Sequence, residues 1–313
     1  MSEIFRWALL VGSSVALIGV GCVCAAVPVL IWKRRQAKEL RHNPLARDML
    51  RGPGYSLRRK LDDLDTDLMT YMVCFMVAPL ATYTYHVSSS YFLNEQETTR
   101  RVVVEVVVLV VVMAFLGLRL LRLLEERKIA TLGLEGEIST AQELDQLMLE
   151  GCRVFHDIPT DYGNIDHVVV SESGVYAVNT KCLQKPKQGN DKAIVVVDHN
   201  NNCVKFPDRD WKIPNDQFET ESNWLSKHLS SATAENIKVE PMMALPGWFI
   251  EKRIGRGPVY VFNPVKPKRF FVHKRTQNTP KQIQQVAHQL EQLCRDVERS
   301  FFDNPKWNSD KRE

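Results

Sequence analysis

The chain is 313 residues long and carries 41 lysines and arginines against 37 aspartates and glutamates, a net charge of +4. That length holds roughly two domains, and a pI of about 8.6 permits contact with phosphate without demanding it. Seven cysteines with no CxxC pair and no His/Cys cluster at zinc spacing exclude a zinc module and a disulfide scaffold, and fit unpaired thiols in a reducing compartment.

Long apolar runs precede Leu124 and an ordinary polar composition follows. Residues 8–32 are almost uninterrupted Ala, Leu, Val, Ile, Gly and Cys. A bilayer crossing needs ~20 such residues, whereas a signal-peptide core has ~7–15. With Lys33, Arg34 and Arg35 directly behind it, the run reads as a retained transmembrane helix. Residues 33–66 are strongly basic, and Gly52-Pro53-Gly54 interrupts any helix there. The positive-inside bias makes this stretch a cytoplasmic loop in preference to a nucleic-acid patch. Residues 68–86 form a second span, with Tyr83 and Tyr85 suited to an interfacial belt and Pro79 tolerable inside a membrane helix. The third span, residues 102–118, is valine-rich and holds Glu105 near its outer end, where a carboxylate can snorkel to the headgroups. Arg119, Arg122, Arg127 and Lys128 follow. The charge pattern thus gives a multi-pass protein of the inner (plasma) membrane with three spans. The N-terminus and residues 87–101 are outside; residues 33–66 and everything after Leu118 are cytoplasmic.

Residues 118–129 continue as a helical stalk. In residues 133–150, Leu134, Ile138, Ala141, Leu144 and Met148 recur at three- and four-residue spacing, the stripe of a short amphipathic helix, and Gly151 fits its stop. Strands are expected at residues 152–158, 193–198, 203–206, 239–245 and 259–262. A helix over residues 215–230 turns Phe218, Trp224, Leu225 and Leu229 inward, and Thr279-Pro280 opens a last helix over residues 281–302. This order suits an α/β or α+β domain with a mixed central sheet.

Between the first strand and residue 193 lies the stretch NIDHVVVSESGVYAVNTK, residues 164–181. β-Branched and aromatic residues flanking a Ser/Gly turn signal a hairpin. With Glu172 and Ser173 as the central turn residues, Val170 faces Val175, and counting back sets Asp166 opposite Asn179. Lys181, two beyond Asn179, shares that face. An acid, an amide and an amine are gathered on one patch, and Glu137 from the preceding helix is a candidate second acid. A hard cation such as Mg²⁺ takes oxygen ligands from one or two carboxylates and keeps waters. A lysine beside it can stabilise charge developing on a phosphate. His167 points to the other strand face and reads as a packing or hydrogen-bonding residue. Trp211, Trp224 and Trp248 read as core in preference to base-stacking platforms, and Lys185, Lys187 and Lys192 as solvated loop charge in preference to phosphate-steering groups.

The segments Gly133-Leu-Glu-Gly-Glu137, His156-Asp157-Ile158, Asn164-Ile-Asp166 and Gly174-Val-Tyr-Ala-Val-Asn-Thr-Lys181 resemble the NERD (nuclease-related) family. So do Asn215-Asp-Gln217 and Leu245-Pro-Gly247, and the resemblance spans about residues 130–265. It implies a PD-(D/E)xK, restriction-endonuclease-like fold. It implies catalytic roles for Asp166, Lys181 and Glu137, metal ligation by Asp166, Asn179 and Glu137, and a site-proximal Gln217. Where the family usually has an acid this chain has Asn179. Either Asn179 serves as a neutral ligand with Glu137 supplying the second charge, or the site has become a structural polar cluster.

These readings combine into transmembrane helices followed by a nuclease-like domain. Residues 1–32 are the N-terminal segment with the first span, residues 33–66 the basic loop, residues 67–121 the second and third spans, and residues 122–132 a helical linker. Residues 133–270 form the nuclease-like domain and residues 271–313 a C-terminal helix and tail. The expected function is a membrane-anchored, Mg-dependent nuclease acting on DNA or RNA at the cytoplasmic face. The alternative is a catalytically impaired domain that binds nucleic acid or protein.

Overall fold

The computed structural model of the protein describes residues 26–28, 30, 31, 34, 48–93, 98–186, 193–272 and 276–297. The chain divides into two compact units, Met1–Ala46 with Asp63–Arg127 and Arg299–Glu313, and Arg47–Asp62 with Lys128–Glu298.

The first unit is helical. Helix α1 (Tyr55–Leu93) starts directly after Gly54 and runs through Pro79, and α2 (Thr99–Asp145) follows. The stretches Tyr55–Tyr91 and Thr99–Glu150 are long and apolar enough to cross a membrane. Val103, Val107, Val110 and Leu118 on α2 are exposed, as side chains facing lipid would be. Both helices suggest membrane association. The span expected over residues 8–32 lies outside the described residues apart from a few helical positions between 26 and 34. Glu105 behaves differently from the expectation of a snorkelling acid. It accepts from Arg101 Nε at 3.0 Å and lies 2.7 Å from His86 Nδ1 on α1, so both carboxylate oxygens are met by side chains. A carboxylate in an apolar helix pair is stabilised by such partners.

The expected break between stalk and amphipathic helix is absent, because α2 is one helix of 47 residues that ends at Asp145. A 3₁₀ turn, Gln146–Glu150, follows, and Gly151 closes it at φ 83°. The tighter turn rotates the apolar stripe. Leu147 takes the buried position, and Met148, expected inward, is 47% exposed.

The second unit holds nine strands, among the described residues, in two sheets where one mixed central sheet is expected. Strands β1 (Arg153–Thr160), β2 (Gly163–Ser171), β3 (Gly174–Thr180), β7 (Val239–Ala244) and β9 (Tyr260–Phe262) form a five-stranded sheet in the order β1-β2-β3-β7-β9. β1, β2 and β3 are antiparallel, and β3, β7 and β9 are parallel. Strands β4 (Ile194–Asp198), β5 (Cys203–Lys205), β6 (Asp210–Lys212) and β8 (Phe249–Ile254) form the smaller sheet in the order β6-β5-β4-β8. β6 and β8 are not among the expected strands. Each lies at a sheet edge, where charged residues such as Glu251, Lys252 and Arg253 replace apolar alternation.

Helix α3 (Asn215–Thr233) and helix α5 (Pro280–Cys294) pack Leu225, Leu229, Val286 and Leu290 against Val168, Val170, Val175 and Ala177. Leu144, Leu147 and the short helix α4 (Lys268–Phe271) cover Tyr176, Val178 and Phe262. A capping box of Thr279 and Gln282 starts α5, with Pro280 in its first turn. The helix stops at Cys294, short of the expected residue 302. Beyond it Val297 pairs with Met49 and Arg51 N–H donates to Cys294 O at 2.8 Å. The tail of the basic 33–66 stretch is therefore built into the domain.

Candidate functional site

The β2–β3 turn forms as expected, with Val170 opposite Val175 and Ser171 opposite Gly174. The backbone ladder ends at His167 and Val178. One rung further it gives way to side chains. Asp166 N–H donates to Asn179 Oδ1 at 3.0 Å, and Thr180 N–H donates to Asp166 Oδ2 at 2.6 Å. On the other side of β2, pairing with β1 reaches His156–His167 and resumes at Ile158–Ile165. The residue passed over is Asp157, at φ 52°. Aspartate tolerates this left-handed conformation better than most side chains, at a cost of about 1–3 kcal/mol. Asp157, Asp166 and Asn179 thus lie abreast on three neighbouring strands.

Asp157 is fully buried and has four donors. Arg51 contacts Oδ2 at 2.9 Å, Ser56 Oγ donates to Oδ2 at 2.7 Å, and Ser56 N–H and Asn164 Nδ2 donate to Oδ1 at 3.1 and 3.0 Å. It thereby satisfies an open N–H in the first turn of α1. Arg51 spans from Asp157 to Asp296, 2.6 Å away.

Glu137 reaches the same end of the hairpin from α2. The close approach depends on Gly136, where a Cβ would clash with Cys182, and on Gly54 (φ 68°), where a Cβ would clash with Leu134 and stand 3.6 Å from Glu137 Oε2. Glu137 is 6% exposed, and Oε2 has no hydrogen-bond partner among the described residues. Burial pushes its carboxyl well above the usual carboxylate range. The charges of Asp166 and Asp157 add to the rise, and Lys181 opposes it. Asp166 is raised too, first by burial and also by Glu221 and Asp157, against the downward pull of the Thr180 N–H and Lys181.

Glu221 is not among the site residues expected from the sequence. It is buried on α3, accepts from Gln217 Nε2 at 2.9 Å and takes a close hydrogen bond from Asn179 Nδ2. Its signal was present: Phe218, Leu225 and Leu229 define the inward face of α3, and residue 221 falls on that stripe. A glutamate on an apolar stripe calls for a buried partner. Here the partner is Asn179, whose amide hydrogens face Glu221 while its oxygen is held by the backbone of Asp166. Gln217, expected near the site, reaches it through Glu221.

Lys181 N–H donates to Ala244 O at 2.9 Å, which fixes the end of β3, and Nζ lies 5.8 Å from the Phe218 ring centroid. His167 is buried and bonded as expected, its Nδ1 2.9 Å from His156 Nδ1 and its Nε2 3.3 Å from Thr180 Oγ1. Burial holds its ring neutral, far below the ordinary histidine range. Trp248 is core, donating to Leu183 O at 3.0 Å, and Trp224 is half-buried and donates to Asp161 at 2.7 Å. Lys187 and Lys192 lie outside the described residues.

Among the described residues no three His, Cys, Asp or Glu side chains converge as a ready-made metal cage. The donor set still fits a hard cation that asks for one or two carboxylates and keeps its waters. Glu137 offers a buried oxygen without a partner among the described residues. The charge of Asp166 raises the affinity of Glu137 for positive charge.

No curated protein and no solved structure matches the chain. Residues 132–246 match the model of the NERD family, the nuclease-related domain. Glu137, Asp157, Asp166, Asn179, Lys181 and Glu221 all fall inside that segment, so the chain carries a nuclease-related domain, which suggests a nuclease-like function.

Proposed function

We propose that the protein is a membrane-anchored, Mg²⁺-dependent nuclease that cleaves DNA or RNA at the cytoplasmic face. The observation that carries this reading is the buried, unpartnered Glu137 oxygen beside Asp166, two carboxyls held up in pKa with Lys181 next to them. Asp166 and Glu137 would hold the cation, which would supply charge neutralisation at a phosphate and a more acidic bound water. Lys181 stabilises the charge that develops on the phosphate oxygens. Glu221 supplies the negative charge that Asn179 lacks and fixes the Asn179 amide. The basic flanks of the apolar helices support a cytoplasmic domain, and a reporter fused after Glu313 should be active only on the cytoplasmic side.

The test uses the full chain in detergent with labelled single- and double-stranded DNA and RNA. Cleavage is expected with Mg²⁺ or Mn²⁺ and not with chelator. Lys181→Ala should lower the rate by about 100–1,000-fold, and Glu221→Gln by about 10–100-fold, as for loss of a residue that orients a ligand. A second reading, a binding module without catalysis, draws on Asn179, whose oxygen is already engaged by the Asp166 N–H. No cleavage of any substrate, together with no cation-dependent rise in melting temperature, decides for it.

A further inference from the structure

Just beyond the segment that matches the nuclease-related family, residues 252–269 carry six lysines and arginines and no aspartate or glutamate. They comprise the end of β8, all of β9 and the start of α4. Arg253, Tyr260, Arg269 and Phe270 line a concavity of about 390 Å³ there. Each guanidinium lies over a ring, Arg253 Cζ 5.0 Å from the Tyr260 centroid and Arg269 Cζ 4.5 Å from the Phe270 centroid. The two rings are themselves in contact, with centroids 5.9 Å apart. Arg253 also donates to Val261 O at 3.0 Å. Neither arginine has a carboxylate partner among the described residues. Lys268, next to them in sequence, is taken up by Glu150 at 2.5 Å.

A guanidinium stacked on a ring has lost much of its conformational freedom and keeps its N–H edge for a ligand; for Arg253 that leaves the N–H groups other than the one on Val261 O. That edge matches two oxygens of a phosphate. Two such arginines in one concavity suit a ligand whose charge repeats along its length.

We infer that this concavity binds the phosphodiester backbone of nucleic acid, at a site separate from the carboxylate cluster. The identity of the polyanion rests on the nuclease reading; the phosphate chemistry rests on the two arginines. The site would hold a strand on the domain without taking part in bond breaking.

Anisotropy of a labelled single-stranded oligonucleotide, titrated with full chain in zwitterionic detergent, tests this. Divalent cations are chelated, so cleavage plays no part. Arg253→Gln with Arg269→Gln should weaken binding about 10-fold or more and reduce the slope of log K against log salt by about 1.4, two single-strand phosphate contacts. Arg269→Gln alone, on an exposed side chain, should reduce the slope by about 0.7 with an unchanged melting temperature. Wild-type affinity and slope in both variants would overturn the inference. So would a loss of sedimentation with phosphatidylserine vesicles while oligonucleotide binding stays intact, which would assign the arginines to a lipid surface. Arginine-dependent binding without cleavage in Mg²⁺ sinks the nuclease reading alone and leaves this site standing.

Discussion

Asp157 and Glu137 are both buried carboxylates in the same unit, and they are treated in opposite ways. Asp157 receives four hydrogen bonds, one of them from an arginine, and every donor is a residue of this chain. Glu137 is buried to a similar degree with one oxygen unpartnered and two other acids acting on it. A buried charge that is fully bonded fastens elements together. A buried charge that is left short stores an unfavourable interaction that an external cation can relieve. The first acid joins the stretch before α1 to the sheet, and the second keeps an oxygen with no partner among the described residues. Position in the fold does not separate them; the count of donors does.

The comparison is broken most directly at Asp157. Asp157→Ala leaves the Ser56 N–H and hydroxyl and Asn164 without their acceptor and takes from Arg51 one of its two carboxylates, Asp296 remaining; loss of one partner of a buried pair costs up to about 3–5 kcal/mol. The melting temperature should fall sharply both with and without Mg²⁺. Glu137→Gln should do the reverse. Removing a carboxyl held at raised pKa relieves the metal-free fold, so its melting temperature at neutral pH should rise. Its rise on adding Mg²⁺ and its cleavage should both disappear. If Glu137→Gln is as damaging as Asp157→Ala in the absence of metal, the distinction between the two acids fails.

The same contrast has a pH signature. A carboxyl whose pKa is raised on folding binds more protons in the folded than in the unfolded state, so stability falls as pH rises. For Glu137 and Asp166 that loss begins above their ordinary values of 4.5 and 3.8 and continues up to the raised folded values. In chelator, thermal stability of the wild type should therefore decline steadily from mildly acidic to mildly alkaline pH. Glu137→Gln should flatten the decline, and saturating Mg²⁺ should reverse it, because cation binding requires the deprotonated carboxylates. A flat profile in chelator would mean that neither acid is raised.

Much of this site could be read from the sequence because strand pairing is arithmetic. Once the Ser/Gly turn is placed, Asp166 and Asn179 must be neighbours, and the register bears this out. The helical period likewise brought out the inward face of α3. What stayed hidden was long-range or irregular. Arg51 lies 106 residues before Asp157, and nothing in local pattern links them. Glu221 looked like one more polar residue because an apolar stripe was read for its hydrophobic members only. The 3₁₀ turn that swaps Leu147 for Met148 changes the period over five residues, too few to show as a pattern. The second sheet was missed because its edge strands, β6 and β8, carry charge where a buried strand would alternate.

The smallest expected effect tests how far the site's order extends. Gln217 donates to Glu221 Oε1 at 2.9 Å, and Glu221 in turn holds the Asn179 amide. Gln217 is itself exposed, so its bond competes with water and contributes about 0.5–1.5 kcal/mol. Gln217→Ala should therefore leave the melting temperature nearly unchanged. Its effect belongs to cation binding. With the Gln217 bond gone, the Glu221 carboxylate is freer to turn from Asn179, and Asn179 from the backbone of Asp166. The Mg²⁺ concentration for half-maximal cleavage should rise by a few-fold, with the maximal rate little altered. The converse, an unchanged Mg²⁺ requirement with a lower maximal rate, would place Gln217 against the substrate and take it out of the chain of contacts that runs from α3 to β2.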